Sequence, residues 1–344
     1  LWKRAKSRLV DGDMPPAEAK QPTAAEKAKL LAYLTAAAAY VDCDPARRAP
    51  GPATVRRLTR TEYANTVRDL LGVPINPGNA VGMPDDAIAD GHFDTLAANL
   101  RLSDALMDQY FAAADKVVDK LASPTPTAAK LLFVARPGPK LSEADAAKQI
   151  VTRLVRRAFR APPRDEDVAR LLGFYDRAKA KGASFDDAVR ATLKPVLVSP
   201  QFLLRIEEDR PSTGGPGVPV SDHELAVRLS YFLWSSMPDD ELFRLADAGQ
   251  LSDPATLRTQ VARMLRDPKA KALTENFAAQ WVQLRKLATA RPTTEFFPTF
   301  NATLKDAMAA EVTAFFDHLR TQVRSVLDLL DADYTFANEP LARH

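Results

Sequence analysis

Residues 221–287 read SDHELAVRLSYFLWSSMPDDELFRLADAGQLSDPATLRTQVARMLRDPKAKALTENFAAQWVQLRKL. This stretch contains two of the three tryptophans of the chain, Trp234 and Trp281. Ser221 and Glu224 have the spacing of a capping box, in which each side chain bonds the backbone N–H of the other residue. After this cap, apolar residues recur every three or four positions, at Leu225, Leu229, Phe232 and Leu233. The stretch therefore predicts a helical domain that begins at Ser221.

Three Pro-containing turns divide this stretch into successive helices. Met237-Pro238-Asp239-Asp240 ends the first helix and begins the next, because proline and acidic residues favour the first helical turn. Asp253-Pro254 and Asp267-Pro268 begin two more helices. The last is expected to turn a seam of large apolar residues toward the core: Leu273, Phe277, Trp281 and Leu284. In the first helix, Glu224 and Arg228 are expected to pair across one turn.

Composition limits the function classes that remain open. The chain has 344 residues, 46% of them hydrophobic, and a net charge of +3. A packed core is therefore expected, and bulk charge gives no reason to expect a nucleic acid or an anionic membrane as partner. One cysteine, Cys43, excludes an intrachain disulfide and a CxxCH haem attachment within this chain. No apolar run reaches the roughly 20 residues of a membrane-spanning helix.

The same helical periodicity continues along the rest of the chain. We predict an all-α fold of multi-segment helical bundles joined by Pro/Gly-rich linkers. Its segments are residues 1–40, 54–122, 142–208 and 218–344, and the clearest linker is DRPSTGGPGVPV at residues 209–220. Within the connector 123–141, the short apolar run LLFVA could be a single strand, although one strand makes no sheet.

Two groups of charged residues have a functional and a structural interpretation. The acidic group Asp85, Asp86, Asp90 and Asp94 has calcium-binding chemistry, but its spacing matches no EF-hand and favours a solvated turn. A basic stripe consists of Arg153, Arg156, Arg157 and Arg160. It could bind phosphate or an acidic partner, but a solvated face paired with the acids at 165–167 is the favoured interpretation.

Several long motifs resemble a known family. They are RLTRTEYANTVRDLLGV, DGHFD, RAFRAPP, DEDVARLLGFY, LVSPQFLLR, RLSYFLWSSMPDDEL, MLRDPKAKALTENFAAQWVQL and LLDADYTFANEPLARH. Together they resemble the multidomain proteins of planctomycetes, myxobacteria and related bacteria. In that family, successive domains of unknown function are attached to a c-type cytochrome module. The resemblance covers nearly the whole chain.

The resemblance carries four expectations. The chain would be the middle part of a longer exported, extracytoplasmic protein. Residues 1–40 would be the end of its haem domain, with Met14 of Met-Pro-Pro as an axial haem ligand rather than an ordinary loop methionine. Haem c would belong to the upstream domain, with no cofactor in this chain. The partners would be other domains of the same chain and a redox partner.

The residues themselves carry no standard catalytic motif. The four histidines, at 92, 223, 318 and 344, lack metal-ligand spacing, so no metal site is predicted. Glu275 and Glu311 are the candidates for a paired-carboxylate site, although a buried salt bridge or a bond from Asn276 or Gln280 explains Glu311 better. Two hypotheses stay open: a non-catalytic scaffold that supports electron transfer or interaction, or a carboxylate-dependent enzyme domain acting on an extracellular polymer.

Overall fold

The computed structural model describes residues 2–16, 18–40, 54–87, 93–208, 210, 218–322 and 324–344. These residues form two compact units. The first comprises Leu1–Pro52 with Asp209–Pro219, and the second comprises Ala53–Glu208 with Val220–His344. Cys43, His92 and Asp90 lie outside the described residues. The predicted mostly helical class is confirmed, since the described elements are helices apart from two short strands and one isolated bridge.

The described residues of the first unit form two helices, with Met-Pro-Pro in the segment between them. They are α1 (Trp2–Val10) and α2 (Ala24–Ala39). Thr23 caps α2 in a capping box with Glu26, because each side chain bonds the backbone N–H of the other. Met14 lies between the helices with its side chain 47% exposed.

The second unit begins with a short strand and four helices. They are β1 (Arg56–Arg57), α3 (Arg60–Leu71), α4 (Pro77–Val81), α5 (Asp104–Lys120) and α6 (Pro126–Leu132). The LLFVA run does not form the strand that its composition allowed, because Leu131 and Leu132 belong to α6. Thr125 caps that helix and Pro126 occupies its first turn, so local capping fixes a helix where composition alone suggested a strand.

Five helices and a second strand follow. They are α7 (Glu143–Phe159), α8 (Asp165–Ala180), α9 (Phe185–Arg190), α10 (Leu193–Leu197), α11 (Pro200–Leu203) and β2 (Leu204–Arg205). Pro195 and Pro200 lie in α10 and α11, where the chain is divided into short helices because proline lacks the backbone N–H of a continuous helix. The strands β1 and β2 pair antiparallel, with Arg56 opposite Arg205.

The C-terminal part of the second unit is built of shorter helices. They are α12 (Asp222–Trp234), α13 (Asp240–Asp247), α14 (Pro254–Arg266), a 3₁₀ turn (Pro268–Ala270), a π-helical turn (Leu273–Ala278), α15 (Ala279–Trp281), α16 (Arg285–Thr289), α17 (Ala302–Thr321), α18 (Asp328–Asp331) and α19 (Glu339–Arg343). The capping box of Ser221 and Glu224 is confirmed. Arg228 pairs with Glu207 instead of Glu224, because Glu224 is engaged by the cap.

The main hydrophobic core crosses the boundaries of the predicted segments. It runs from Leu58 to Leu203 and also takes in Tyr231, Met237 and Phe243 from the C-terminal part. A smaller cluster forms around Trp234, whose Nε1 donates to the carbonyl of Met264 at 3.0 Å. The N-terminal end of the 218–344 segment is therefore packed into the same core as the two segments before it.

The basic stripe on α7 has partners that its sequence neighbourhood did not suggest. Arg153 and Arg157 pair with Asp240, and Arg156 pairs with Asp247. The prediction that the acids at 165–167 would pair with this stripe was wrong, because Glu166 and Asp167 bind arginines next to α8 or on it. The stripe therefore holds α13 against α7.

Arg160, the last member of the stripe, is buried at the end of α7. Its guanidinium donates to the carbonyls of Gln201, Phe202 and Leu204 and to the hydroxyl of Tyr231. The Tyr231 hydroxyl also lies 2.9 Å from Thr66 Oγ1. Because the single proton of Thr66 goes to the carbonyl of Glu62, Tyr231 must donate to Thr66 and accept from Arg160. One phenol thus connects α3, α7 and α12.

The expected apolar seam after Asp267 is the largest departure from the sequence prediction. Phe277 and Trp281 are 37% and 55% exposed, whereas Thr274, Ala278 and Gln280 face inward. The cause is the π-helical turn over Leu273–Ala278. A π turn holds one more residue than an α turn, so it rotates the following side chains relative to the helical pattern.

Candidate functional site

A pocket of about 220 Å³ opens where this rotated aromatic face meets the two-stranded sheet. We call it the Arg205 pocket. Phe93, Phe232 and Phe277 line one side and form its aromatic wall. The rings of Phe93 and Phe277 are stacked, with centroids 5.3 Å apart, and Phe232 meets Phe277 edge-on. The π-helical turn presents Phe277 to this pocket.

An ion pair between Arg56 and Glu62 forms part of the polar lining. Two hydrogen bonds of 2.7 Å join the guanidinium to the two carboxylate oxygens. Burial opposes ionisation of Glu62, but the bonds and the charge of Arg56 outweigh it, so the pKa of Glu62 is lowered. Glu62 also closes the cap of α3 by accepting from the Thr59 N–H. Helix capping and ion pairing thus hold the same carboxylate in its charged form.

Arg205 lies beside this pair and has no acid of its own. Its Nε is buried without a hydrogen-bond partner among the described residues, none of which forms an ion pair with it. Its guanidinium lies 5.3 Å from the centroid of the Tyr231 ring. Burial and the positive charges of Arg56 and Arg160, against the opposite effects of Glu62 and Tyr231, together lower the pKa of Arg205 to about 10. At neutral pH, this part of the pocket has more positive than negative charge.

Asp94 closes another side of the pocket. It is buried and binds Arg285 at 2.8 Å, and it exchanges two hydrogen bonds with the side chain of Gln280. The prediction of a solvated turn was therefore wrong for Asp94. It was also wrong for Asp86, whose ion pair with Arg57 leaves both side chains under 9% exposed. These acids are held by arginines that are distant in sequence or on the preceding strand.

The base of the pocket includes a residue with an uncommon backbone conformation. Ser235 ends α12 with φ at +48°, a region that residues other than glycine seldom occupy. Its Oγ accepts from Asn276 at 2.9 Å, and its carbonyl accepts from Asn65. These bonds hold Ser235 in this conformation and link α12 to the π-helical turn and to α3.

The candidates chosen from the sequence lie elsewhere. Glu275 is exposed and pairs with Lys271 at 3.0 Å. Glu311 accepts from Thr335 at 2.6 Å, and not from Asn276 or Gln280. In the described part of the chain no hydrogen bond or ion pair joins the two glutamates, and neither lines the Arg205 pocket. The role of Met14 as a haem ligand stays a prediction.

A second cavity, of about 680 Å³, lies between α3, α6, α7 and α13. Its positively charged residues are Arg68, Arg157 and Lys269, and its negatively charged residues are Asp69, Asp239 and Asp240. Each of these cations forms an ion pair with an acid of the same lining, Arg68 and Lys269 with Asp69 and Arg157 with Asp240, whereas Arg205 forms none with a described residue.

The residues that the structure describes contain no group of three or more histidines, cysteines or acids that could hold a metal ion. Within the same ranges, none of the helices joins sufficient length with sufficient hydrophobicity to span a lipid bilayer.

Sequence reasoning missed Arg56, Arg205 and the aromatic wall. One signal was available, because five of the motifs that carry the family resemblance each supply a residue to the pocket. The contributing residues are Glu62, Asp94, Arg205, Tyr231 and Phe277. Periodicity assigns each of them to a separate helix or loop, so only their assembly in three dimensions reveals a shared site.

Three family models match successive parts of the chain. Residues 56–123 match PSD3, Protein of unknown function (DUF1587); residues 146–207 match PSD5, Protein of unknown function (DUF1595); and residues 220–344 match PSD4, Protein of unknown function (DUF1592). The chain carries three domains of unknown function in succession. This succession is the pattern of planctomycete-type, cytochrome c-associated proteins. No curated protein and no solved structure matches the chain.

All three domains contribute to the Arg205 pocket. Glu62 belongs to the DUF1587 domain and Arg205 to the DUF1595 domain, while Phe232 and Phe277 belong to the DUF1592 domain. The pocket therefore exists only where the three domains are assembled.

Proposed function

We propose that this chain is the helical framework portion of an exported, cytochrome c-linked protein, and that it binds ligands and neighbouring domains without catalysing a reaction. The composition of the Arg205 pocket carries the proposal. Its carboxylates, Glu62 and Asp94, are both held in ion pairs with arginines. General acid–base catalysis uses a group that can gain or lose a proton near the working pH, and acids held in this way favour binding over proton transfer.

The link to haem c rests on the family resemblance and on Met14. The thioether lies in an exposed loop between two helices, so it is accessible to a ligand. A c-type haem would supply one-electron transfer, and a methionine ligand raises its reduction potential. The attachment cysteines and the histidine ligand would come from outside this chain, because its one cysteine cannot form a CxxCH motif. Haem c attachment also motivates the proposed extracytoplasmic location and a redox partner.

The longest natural polypeptide that contains this chain provides the test. Its purified form is expected to show a haem c absorbance, and Met14→Ala is expected to lower the reduction potential. Leu30→Ala, which changes an exposed side chain of α2, is the matched control and should leave the potential unchanged. A polypeptide without haem, or a potential indifferent to Met14→Ala, would contradict the proposed link.

The alternative, a carboxylate-dependent enzyme acting on an extracellular polymer, is favoured by one observation. The aromatic wall lies in the same pocket as Glu62 and Asp94, and enzymes that cleave polysaccharides use pairs of carboxylates. The chain can be incubated with polygalacturonate while new reducing ends are counted. Turnover that disappears in Glu62→Gln or Glu311→Gln would establish the enzyme and overturn the scaffold.

A further inference from the structure

The strongest unexplained feature of the described residues is a buried guanidinium in a lined cavity that none of their carboxylates bonds. Arg205 sits on the two-residue strand β2, directly across from Arg56 on β1. This pairing brings two guanidiniums to the same side of the pocket, and Glu62 bonds only one of them. A buried charge without a counter-charge is costly, unless a ligand supplies the missing charge.

The charge balance around Arg205 identifies the sign of that ligand. The ionisable groups that act on it are Arg56, Glu62, Tyr231 and Arg160. Glu207 also interacts with it, but Arg228 already pairs with that carboxylate. Arg160 is bonded to carbonyls and to a phenol, so its charge is not cancelled by a carboxylate. Asp94 is neutralised by Arg285. The carboxylates near Arg205 are thus already paired with other arginines, which leaves the charge of Arg205 uncompensated and favours an anion.

The shape and walls of the pocket identify the rest of the ligand. Its volume of about 220 Å³ lies below the roughly 300–1,000 Å³ of pockets for drug-sized ligands, so it suits a molecule with a single ring. The aromatic wall offers an apolar surface against which a flat ring can pack. Side-chain amides of Asn276 and Gln280 lie in the same lining and can bond polar substituents.

We propose that the Arg205 pocket binds a small carboxylate with a single ring, its carboxylate on Arg205 and its ring against the aromatic wall. This inference rests on the proposed binding function and names the chemical class of the ligand. Guanidinium and carboxylate match in a bidentate geometry, the strongest polar contact available to such an anion. A sugar acid and an aromatic acid share this chemistry, and the experiment below distinguishes them.

Calorimetric titration of the full 344-residue chain tests the proposal, with galacturonate and benzoate as probes. Galactose and benzyl alcohol are the neutral counterparts. We expect saturable binding of at least one acid and none of its neutral counterpart at the same concentration. Saturation by galacturonate alone identifies a sugar acid site, and saturation by benzoate alone identifies an aromatic acid site. Either result supports the proposal.

Variants locate the binding. Arg205→Met is expected to weaken it by about ten- to a hundredfold, the range for losing hydrogen bonds to a charged group. Arg205→Lys keeps the positive charge but loses the two-pronged guanidinium geometry, so its affinity for the acid should lie between those of the wild type and Arg205→Met. Arg244→Gln is the matched control, because Arg244 is exposed and pairs only within its own helix, with Glu241. Phe277→Ala should weaken binding because it removes part of the aromatic wall against which the ligand ring packs. Phe296→Ala changes a highly exposed phenylalanine outside the pocket and should leave binding unchanged.

Two results would overturn the inference. The first is a folded wild-type chain that neither acid saturates below about 10 mM, a very weak affinity. The second is binding that Arg205→Met, Arg205→Lys and Phe277→Ala all leave unchanged. Chemical conversion of a bound acid would be a different outcome, because it would refute the non-catalytic function while supporting the ligand class.

Discussion

Removing the Tyr231 hydroxyl tests whether the three domains of the second unit are held together by specific polar bonds. Tyr231→Phe keeps the buried ring and deletes one oxygen. That oxygen accepts from Arg160 at 3.2 Å and lies 2.9 Å from Thr66 Oγ1, to which it donates. The bonds run in one direction, from Arg160 through Tyr231 and Thr66 to the Glu62 carbonyl. Each bond in such a chain polarises the next.

The expected loss can be worked out from these contacts. A neutral hydrogen bond contributes about 1 kcal/mol to stability, and a bond to a charged group contributes about 1.5–3 kcal/mol. Arg160 keeps three carbonyl partners and Thr66 keeps the Glu62 carbonyl, so no group is left wholly unbonded. We therefore expect Tyr231→Phe to lower the free energy of unfolding by about 2–3 kcal/mol.

Urea unfolding of the full chain, followed by circular dichroism and by tryptophan fluorescence, provides the measurement. Trp234 lies three residues after Tyr231 and is buried, so its fluorescence reports on the same region. Tyr334→Phe is the matched control, because the Tyr334 hydroxyl bonds Asp328, six residues away, and lies beside Arg324 of the same segment. Its loss should shift the midpoint less. A variant as stable as the wild type, or one that shifts no more than the control, would refute the role assigned to Tyr231.

Three further predictions concern buried charge. Asp86→Ala breaks an ion pair that is almost fully buried, so it should lower the free energy of unfolding in urea by about 3–5 kcal/mol. Asp85→Ala changes the exposed neighbouring residue and should lower it by less than about 1 kcal/mol. Equal losses in the two variants would contradict this prediction. The pKa of Glu62 is lowered in the folded state, so its contribution to stability is complete above its unfolded pKa and is lost as the pH falls through the folded one. The stability advantage of the wild type over Glu62→Gln should therefore be constant above the ordinary glutamate pKa of about 4.5 and shrink as the pH falls below it. An advantage that stays constant at acid pH would refute the assignment. Arg205→Met removes a cation that no described carboxylate bonds, so it should leave the melting temperature unchanged or raise it. Arg160→Met removes the donor of three carbonyl groups and should lower the melting temperature. A melting temperature that falls equally in both variants would show that Arg205 is structural.

Local chemistry made much of the fold predictable. The capping boxes at Thr23, Thr59 and Ser221 each mark the start of a helix in the structure, because a cap depends on residues only three positions apart. The break at Met237–Asp240 is equally local and was also predicted. These signals depend on residues within one helical turn of each other. Helix ends can therefore be predicted from them without knowing the tertiary contacts.

The features that escaped prediction depend on distant partners or on a change of helical period. The Arg157–Asp240 ion pair and the Arg56–Arg205 strand pairing join residues far apart in the chain. The exposure of Phe277 follows from a π turn, which a search for three-to-four-residue spacing cannot detect. The candidate site combines both causes, so Glu275 and Glu311 were selected from helical faces while the actual lining residues were passed over.

The π turn over Leu273–Ala278 also suggests how readily such a surface can be gained or lost in evolution. In a regular α-helix each residue advances the direction of the side chains by about 100°. Deleting one residue from this turn would restore the ordinary winding and swing the side chain of Trp281 and those after it toward a new direction. Deletion of a single codon would thus change which aromatic side chains this helix exposes.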